Sequence, residues 1–396
     1  MKLSGRKLNI EYSVLQCLYW MISGVVFGFS TVYLQYKSYS NYEIGLILAL
    51  GNIVSFALQP IVAGIVDRSE RRALIKCIRL TAFVSLLLIS LVFLMPSSCL
   101  PLTVSYILLI AGNLLLQPLC ISLSIYIESW GHPINFSAAR GIGSLGYAIC
   151  TVGLGILVDK FSPVTVPLVF FIITAIFGSL TIIFSRVEKS AALSKDNTAS
   201  PKAGKTSSVT QFIAENKRFC ILLIGVALLY FTHSILGNFM IEFIRGVGGG
   251  SSDLGIVLAF MAMTEVPMML LFSKLLHRFG CTALLKLSVI MFSVKALVFY
   301  LAPSMTVLYI AVALQMFSFA IFTPASVVYV SKVIIGKDAV KGQTFVTTMI
   351  TLGSIFASYV GGYILDNGGA SQTLLVAFIV SAVGTLIALP SIQKTK

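Results

Sequence analysis

Apolar residues fill long runs in this chain, and polar residues collect in short intervals between them. The runs fall near 12–36, 44–66, 74–96, 102–127, 139–159, 163–185, 219–243, 254–276, 281–302, 305–333, 343–365 and 371–391. Each holds about 20 residues or more, the length a helix needs to cross a hydrocarbon core about 30 Å thick. The order is six runs, a polar interval over 186–218, then six more. That interval carries Lys189, Lys195, Asp196, Lys202 and Lys205 among Ser, Thr and Ala. It is too polar to insert and too poor in apolar side chains to fold alone, so it reads as a flexible linker. The pattern predicts an all-α membrane protein of 12 transmembrane helices in two six-helix bundles, 1–185 and 219–396. The basic start, Met1 to Lys7, leads into a long run with no small-residue cleavage site. It reads as a first span and not as a removed signal.

The two halves echo each other. Residues 43–76 recur at 253–286 with a fixed offset of 210: Glu43-Ile44-Gly45 answers Asp253-Leu254-Gly255, Arg68 answers Arg278, and Ala73-Leu74-Ile75-Lys76 answers Ala283-Leu284-Leu285-Lys286. A second echo, at offset 207, sets Gly146, Gly155 and Asp159 against Gly353, Gly362 and Asp366. Apolar segments match by chance; charged and glycine positions holding one register do not do so readily. A hydrophobic chain built as two like halves is the sequence form of a two-bundle membrane transporter.

Composition agrees. Hydrophobic residues make up 57% and charged residues 11%, with mean hydropathy +0.97; a soluble domain has about 25% charged residues. The net charge of +14 would suggest nucleic acid in a soluble protein, but its distribution excludes that partner. Of 28 Lys and Arg, 24 fall on one side of the predicted spans, three (Lys37, Lys160, Arg245) on the other, and Lys295 inside a span. The positive-inside rule places both termini in the cytoplasm, with the bacterial inner membrane as the compartment. Seven cysteines are scattered without Cys-x-x-Cys spacing, so no disulfide framework, metal site or cofactor is expected. No segment could form a soluble catalytic domain and no paired acid–base set presents itself, so the chain does not read as an enzyme. It reads as a monomer.

A few polar residues interrupt the spans. Glu265 lies near the middle of span eight and Lys295 well inside span nine. Each costs about 2.5–3.5 kcal/mol at a helix centre on insertion scales, so each needs a partner or a purpose. They could form a structural ion pair, or contact a substrate or proton. His233 is the histidine within a span; it could be packing or could titrate near neutral pH. Glu128 closes span four and Arg140 opens span five across a short turn, an interface anchor or a substrate fork. Gln16, Tyr19 and Trp20 on span one, and Asn113 and Gln117 on span four, add uncharged donors and ring faces. Pro60, Pro118, Pro267, Pro324 and Gly361-Gly362 permit bending and close packing. The loop Ala63-Gly64-Ile65-Val66-Asp67-Arg68-Ser69-Glu70-Arg71-Arg72 places an acid and clustered arginines at a span end. Asp67, Arg68, Arg71 and Arg72 are therefore gating candidates.

At that loop the chain resembles the major facilitator superfamily, whose loop between spans two and three reads Gly-x-x-x-Asp-Arg-x-Gly-Arg-Arg. Ala63 and Glu70 replace the two glycines, while Asp67, Arg68, Arg71 and Arg72 fit. A narrower resemblance is to the oligosaccharide:proton symporter and phenylpropionate permease branch. It rests on Asn135-Phe136, Arg140 and Gly143-Ser144-Leu145-Gly146-Tyr147-Ala148, on Glu265 and Lys295, and on Leu314-Gln315-Met316-Phe317. The branch has a histidine where Gln315 stands and a proton-carrying glutamate where Ser318 stands, so its form of proton coupling does not carry over. The resemblance implies a cavity near the midplane lined by spans 1, 2, 4, 5, 7, 8, 10 and 11, with spans 3, 6, 9 and 12 outside. Candidate substrate contacts are Trp20, Asn113, Gln117, Glu128, Arg140, Tyr147, Asn238 and Gln315; candidate coupling residues are Glu265, His233 and Lys295. The expected activity is secondary transport of a small organic solute (sugar, nucleoside or aromatic acid), either coupled to protons or facilitated. Drug or sugar efflux, and a non-transporting membrane sensor, are the alternatives.

Overall fold

The computed structural model describes residues 5–68, 73–129, 132–192, 208–334 and 338–394, and among them no strand occurs. α1 (Gly5–Ser23) runs through a π-helical turn (Gly24–Gly28) into α2 (Ser30–Tyr36), and together they form the first crossing. α3 (Asn41–Arg68), α4 (Ala73–Leu94), α5 (Leu100–Ser129), α6 (Phe136–Lys160) and α7 (Thr165–Ala192) follow. A short α8 (Val209–Glu215) precedes α9 (Lys217–Asn238), α10 (Met240–Gly246), α11 (Ser251–Phe279) and α12 (Cys281–Tyr300). The tenth span is broken: α13 (Met305–Ala313), a 3-10 turn (Leu314–Met316), then α14 (Phe319–Val333). α15 runs from Ala339 to Ser391.

Eleven of these segments are long and apolar enough to cross a membrane. The last, Lys341–Ser391, has 51 residues, about 75 Å of helix at 1.5 Å per residue. That is more than twice a hydrocarbon core, and the helix breaks at Gly369, where φ is 72° and ψ −176°. It therefore supplies two crossings, which makes twelve. The helices continue through Pro60, Pro118, Pro267 and Pro324.

One sequence expectation needs correcting. Residues 186–192 extend α7, and α8 lies inside the stretch that reads as linker. Ser208 caps α8 by accepting a hydrogen bond from the Gln211 amide at 3.2 Å. Phe212 is fully buried on Phe219 and Phe345. One aromatic side chain at the right helical phase docks a segment that composition alone marks as polar.

The contacts sort the chain into two compact units, Met1–Ala199 with Ser251–Ala262, and Ser200–Gly250 with Met263–Lys396. The repeat is visible in the backbone of each. The first crossing breaks at Phe29 (φ −114°) and its counterpart 210 residues on breaks at Phe239 (φ −115°). Ser38 (φ 67°) and Gly248 (φ 86°), again 210 apart, turn the chain with positive φ into α3 and α11. Glycine adopts that conformation freely; serine does so at a cost.

In the first unit α1 lies along α6, α5 packs on α3 and α4, and α4 on α7. The first turns of α11 complete it. A Cβ at Gly155 would stand 2.5 Å from the Ser251 carbonyl oxygen, and one at Gly255 only 2.3 Å from that of Thr151. The two backbones therefore meet with no room for a side chain. One turn further along α6, the Asp159 carboxylate accepts from the amides of Ser251 (3.2 Å) and Ser252 (2.7 Å). Those are orphan donors of a helix start, and the carboxylate caps them. In the second unit α9 runs along α15, with α12 against α14 and α15. Its core is aromatic, including Phe219, Phe292, Phe322 and Tyr329.

In both units Leu94, Leu270 and Leu386 are typical of the outward faces, exposed by 77, 75 and 72%. Extended aliphatic surface of this kind marks a membrane-embedded protein. Buried hydroxyls bond back to carbonyls four residues earlier, as Thr373 does to Gly369 and Ser391 to Ile387. A polar atom inside an apolar helix is thereby satisfied without a partner from another helix.

Candidate functional site

In the first unit the polar residues gather where α1 lies on α6. Asn135 caps α6 by accepting from the Ala138 amide at 3.0 Å. This sets the helical phase that turns Arg140, Ser144 and Tyr147 to one side. The Arg140 guanidinium carbon sits 3.6 Å from the centre of the Trp20 ring, and its Nη1 donates to Ser144 Oγ at 3.1 Å. Stacking of this kind, cation on π-face, contributes about 0.5–2 kcal/mol depending on desolvation. Gly143 makes it possible, because a Cβ there would fall 2.5 Å from Trp20 Cδ1. Tyr19 meets the Trp20 ring edge-on at 5.2 Å. The Trp20 Nε1 donor is buried without a partner. Tyr147 lies beside the π-helical turn, its ring 3.3 Å from where a Cβ on Gly24 would be.

Farther along α1, Gln16 Nε2 donates to Tyr12 at 2.7 Å, and the Tyr12 hydroxyl donates to the Cys120 carbonyl of α5 at 3.0 Å. Ser23 Oγ donates to Asn113 Oδ1 at 3.1 Å, while Asn113 Nδ2 is buried and unbonded. Gln117 stands one turn beyond on α5, half-buried. Glu128 is exposed near the end of that helix and joins none of these contacts among the described residues. Arg140, which follows it across the turn, lays its guanidinium on the indole face.

A groove of about 750 Å³ opens between the N-terminal parts of the same two helices, lined among others by Arg6, Asn9, Cys17, Asn135 and Ile142. Asn9 braces it, donating to the Pro133 carbonyl at 2.6 Å and accepting from the Asn135 amide at 2.7 Å. Its volume is that of a small-ligand site. Trp20, Arg140 and Tyr147 do not line it; they lie deeper along the two helices. Asn9 was not among the sequence candidates, because an Asn near a chain start carries no signal without its partners.

The second unit holds a polar island among aromatic rings. Lys295 on α12 is 3% exposed, although span nine is expected at the periphery. Its Nζ donates to Gln315 Oε1 at 2.7 Å, lies 3.3 Å from His233 Nδ1 and 5.7 Å from the Phe292 ring centre. Gln315 Nε2 in turn donates to Glu265 Oε1 at 3.0 Å. The expected Glu265–Lys295 pair thus exists only through an amide bridge. Gln315 can reach both because the tenth span unwinds at Leu314–Ser318, and broken spans are where carriers place polar sites. His233 stacks on Phe319 at 4.9 Å and 9° and meets Tyr230 and Phe292 edge-on. Asn238, at the end of α9, donates to Ser358 at 2.9 Å, away from the island.

Of the gating candidates, Asp67 and Arg68 close α3, with side chains outside the described residues, and Arg71 and Arg72 lie outside them altogether. No group of three metal-ligating side chains occurs among the described residues.

A family model described as "MFS_1 like family" matches residues 9–376. The maltose permease of Geobacillus stearothermophilus is 25% identical over 372 residues, covering 92% of this chain and 90% of that one. An uncharacterized transporter, YwbF, of Bacillus subtilis is 24% identical over 386 residues, covering 94% and 92%. Among solved structures, that of the nucleoside transporter NupG superposes with a TM-score of 0.80 at 14% identity, covering 97% and 98%.

Proposed function

The chain belongs to the MFS_1-like family of membrane transporters, and from that premise we propose that it carries a small, ring-shaped, hydroxyl-bearing solute by alternating access. The observation that carries this reading is Arg140 laid flat on Trp20 at 3.6 Å. Beside that stack are the buried Nε1 donor of Trp20 and the Tyr147 ring. A planar guanidinium presents donors in a fixed fork, and aromatic faces take the apolar side of a ring. Sugars and nucleosides offer both surfaces. The distribution of Lys and Arg supports a bacterial inner-membrane location with both termini in the cytoplasm. Asn113 and Gln117 extend the donor set toward α5. In the proton-linked version of this reading Glu265 carries the proton, with His233 and Lys295 as its partners; in the other version the carrier is a facilitator or exchanger.

The experiment is counterflow in proteoliposomes with purified protein, run over a panel of sugars, nucleosides and aromatic acids. Preloaded solute should drive transient accumulation of labelled solute of one class, and the same class should raise the melting temperature in detergent. Folded protein that moves no member of the panel would refute the solute class. Absence of any flux with any solute would favour a sensor that keeps a carrier fold.

A further inference from the structure

The Lys295 ammonium is buried without a direct carboxylate contact. Its three neighbours are a carbonyl oxygen (Gln315 Oε1, 2.7 Å), an imidazole nitrogen (His233 Nδ1, 3.3 Å) and a ring face (Phe292, 5.7 Å). Each presents electron density to the nitrogen. An ammonium has three N–H donors and no lone pair, so this set satisfies it. With the lysine charged, His233 accepts at Nδ1 and carries its own proton on Nε2. The Gln315 amide is oriented from its far end: because its NH2 donates to Glu265, its oxygen must face Lys295. A flipped amide would oppose donor to ammonium and oxygen to carboxylate. The bridge polarises the amide in the sense that favours a cation at Lys295. The titratable groups facing this centre are His233 and Tyr230 on α9 and Glu265 on α11. The break in the tenth span contributes Gln315. α15 packs on α12, the Lys295 helix, through hydroxyls, Ser381 and Thr385 bonding to Ser293.

We propose that this is a monovalent-cation site whose occupant is covalently tethered, so that Lys295 fills the place an exchangeable coupling ion would take. The carrier then works as a facilitator or exchanger, with no proton or sodium ion taken up or released at this centre in the cycle. The site stands on its own geometry; its consequence for coupling rests on the transport reading above.

The first test needs no transported solute. Lys295→Ala leaves a vacancy with the Gln315 oxygen, the His233 nitrogen and the Phe292 face in place. Methylammonium chloride is titrated into the purified full-length variant in detergent, with sodium chloride and tetraethylammonium chloride at equal concentrations as controls. The variant should melt several degrees below the parent. Methylammonium alone should raise its melting temperature saturably, while the parent and Lys295→Met, whose side chain fills the vacancy, should show no saturable response. No rise in Lys295→Ala beyond the sodium control, or an equal rise in the parent, overturns the site. If Lys295→Ala is not monodisperse in ordinary buffer, it is purified in methylammonium throughout; recovery only there supports the proposal, and failure there counts against it.

The second test uses the parent with whichever solute gives counterflow. Exchange should hold one rate across the neutral pH range, and an imposed proton or sodium gradient should drive no accumulation. Uphill accumulation on either gradient overturns the coupling half of the proposal. Absence of counterflow with every solute would instead sink the transport reading, leaving the melting result to judge the site.

Discussion

Gly146 and Gly353 occupy the same position in the 207-residue echo, but alanine should be tolerated at one and not at the other. On α6, a Cβ at Gly146 would fall 2.3 Å from Cys17 Sγ, with the Cys17 carbonyl oxygen at 3.3 Å and Met21 Cγ at 3.4 Å. On α15, a Cβ at Gly353 would fall 2.3 Å from the Ala227 carbonyl oxygen, with that carbonyl carbon and the Phe231 nitrogen both at 3.1 Å. Alanine gains about 0.8–1.0 kcal/mol of helix propensity over glycine at either site. At Gly146 the obstacle is a thiol on one rotatable bond, which can swing to another rotamer. At Gly353 the obstacle is main chain. Carbon and carbonyl oxygen sit comfortably at about 3.3–3.6 Å, so α9 and α15 would have to part by about 1 Å. Overpacking of that kind costs about 1–3 kcal/mol. Gly353→Ala should therefore lose about 0–2 kcal/mol net, and Gly146→Ala should be neutral or slightly stabilised. Melting in detergent, read as an order and not as an equilibrium free energy, checks it. Cys17→Ala combined with Gly146→Ala should melt at or above the parent. Gly146→Ala melting below Gly353→Ala, or no benefit from removing the thiol, would refute the packing argument.

Arg140→Lys should weaken solute binding by about tenfold, in line with the loss of a stacked guanidinium, while the melting temperature of the empty protein stays put; the reverse pattern would make Arg140 a packing residue. Ser38→Gly should stabilise by about 0.5 kcal/mol, since glycine removes the cost of positive φ but gains unfolded-state entropy. A lower melting temperature would mean that the Ser38 side chain holds the turn. Glu265→Gln should destabilise by about 1–3 kcal/mol, because the amide bridge then ends on a neutral group and Lys295 remains buried. Adding Lys295→Met to it should recover part of the loss; a further fall in melting temperature would show that the lysine contributes independently of Glu265.

The sequence made some of this legible and hid the rest for identifiable reasons. Span positions follow from hydropathy, and even the bend at Gly369 is signalled by the Gly368-Gly369 pair between the last two apolar runs. The repeat predicted by Glu43 and Asp253 reaches further than those residues, to Phe29 and Phe239 and to Ser38 and Gly248. The break at Leu314–Ser318 has no such signal: Leu-Gln-Met-Phe-Ser contains neither glycine nor proline. Only the fold shows what occupies it, Gln315 bonded to Lys295 on one side and Glu265 on the other. Trp20 and Arg140 each stood out, but 120 residues separate them, and only the packing of α1 on α6 pairs a guanidinium with an indole. Glu128 and Arg140 are close in sequence across one turn, but the last turn of α5 leaves the Glu128 side chain exposed, which closeness along the chain does not reveal. Glu265 and Lys295 were conspicuous as charges, and a direct pair was the natural guess. A neutral amide between them cannot be inferred from charge at all.

The first turns of α11 have a consequence for how this protein is made. Ser251–Ala262 belongs by its contacts to the first unit, yet the ribosome reaches it only after that unit's own six crossings and the segment that follows them. Until then the α6 face at Gly155 has no backbone to close on, and the Asp159 carboxylate has no helix start to cap. The first unit therefore cannot be finished in order of synthesis. It must wait in the bilayer, one helical face short, for a piece of chain that arrives with the second half. A translational pause or truncation before residue 262 would leave a nearly complete but unsealed half, the form that membrane quality control should recognise.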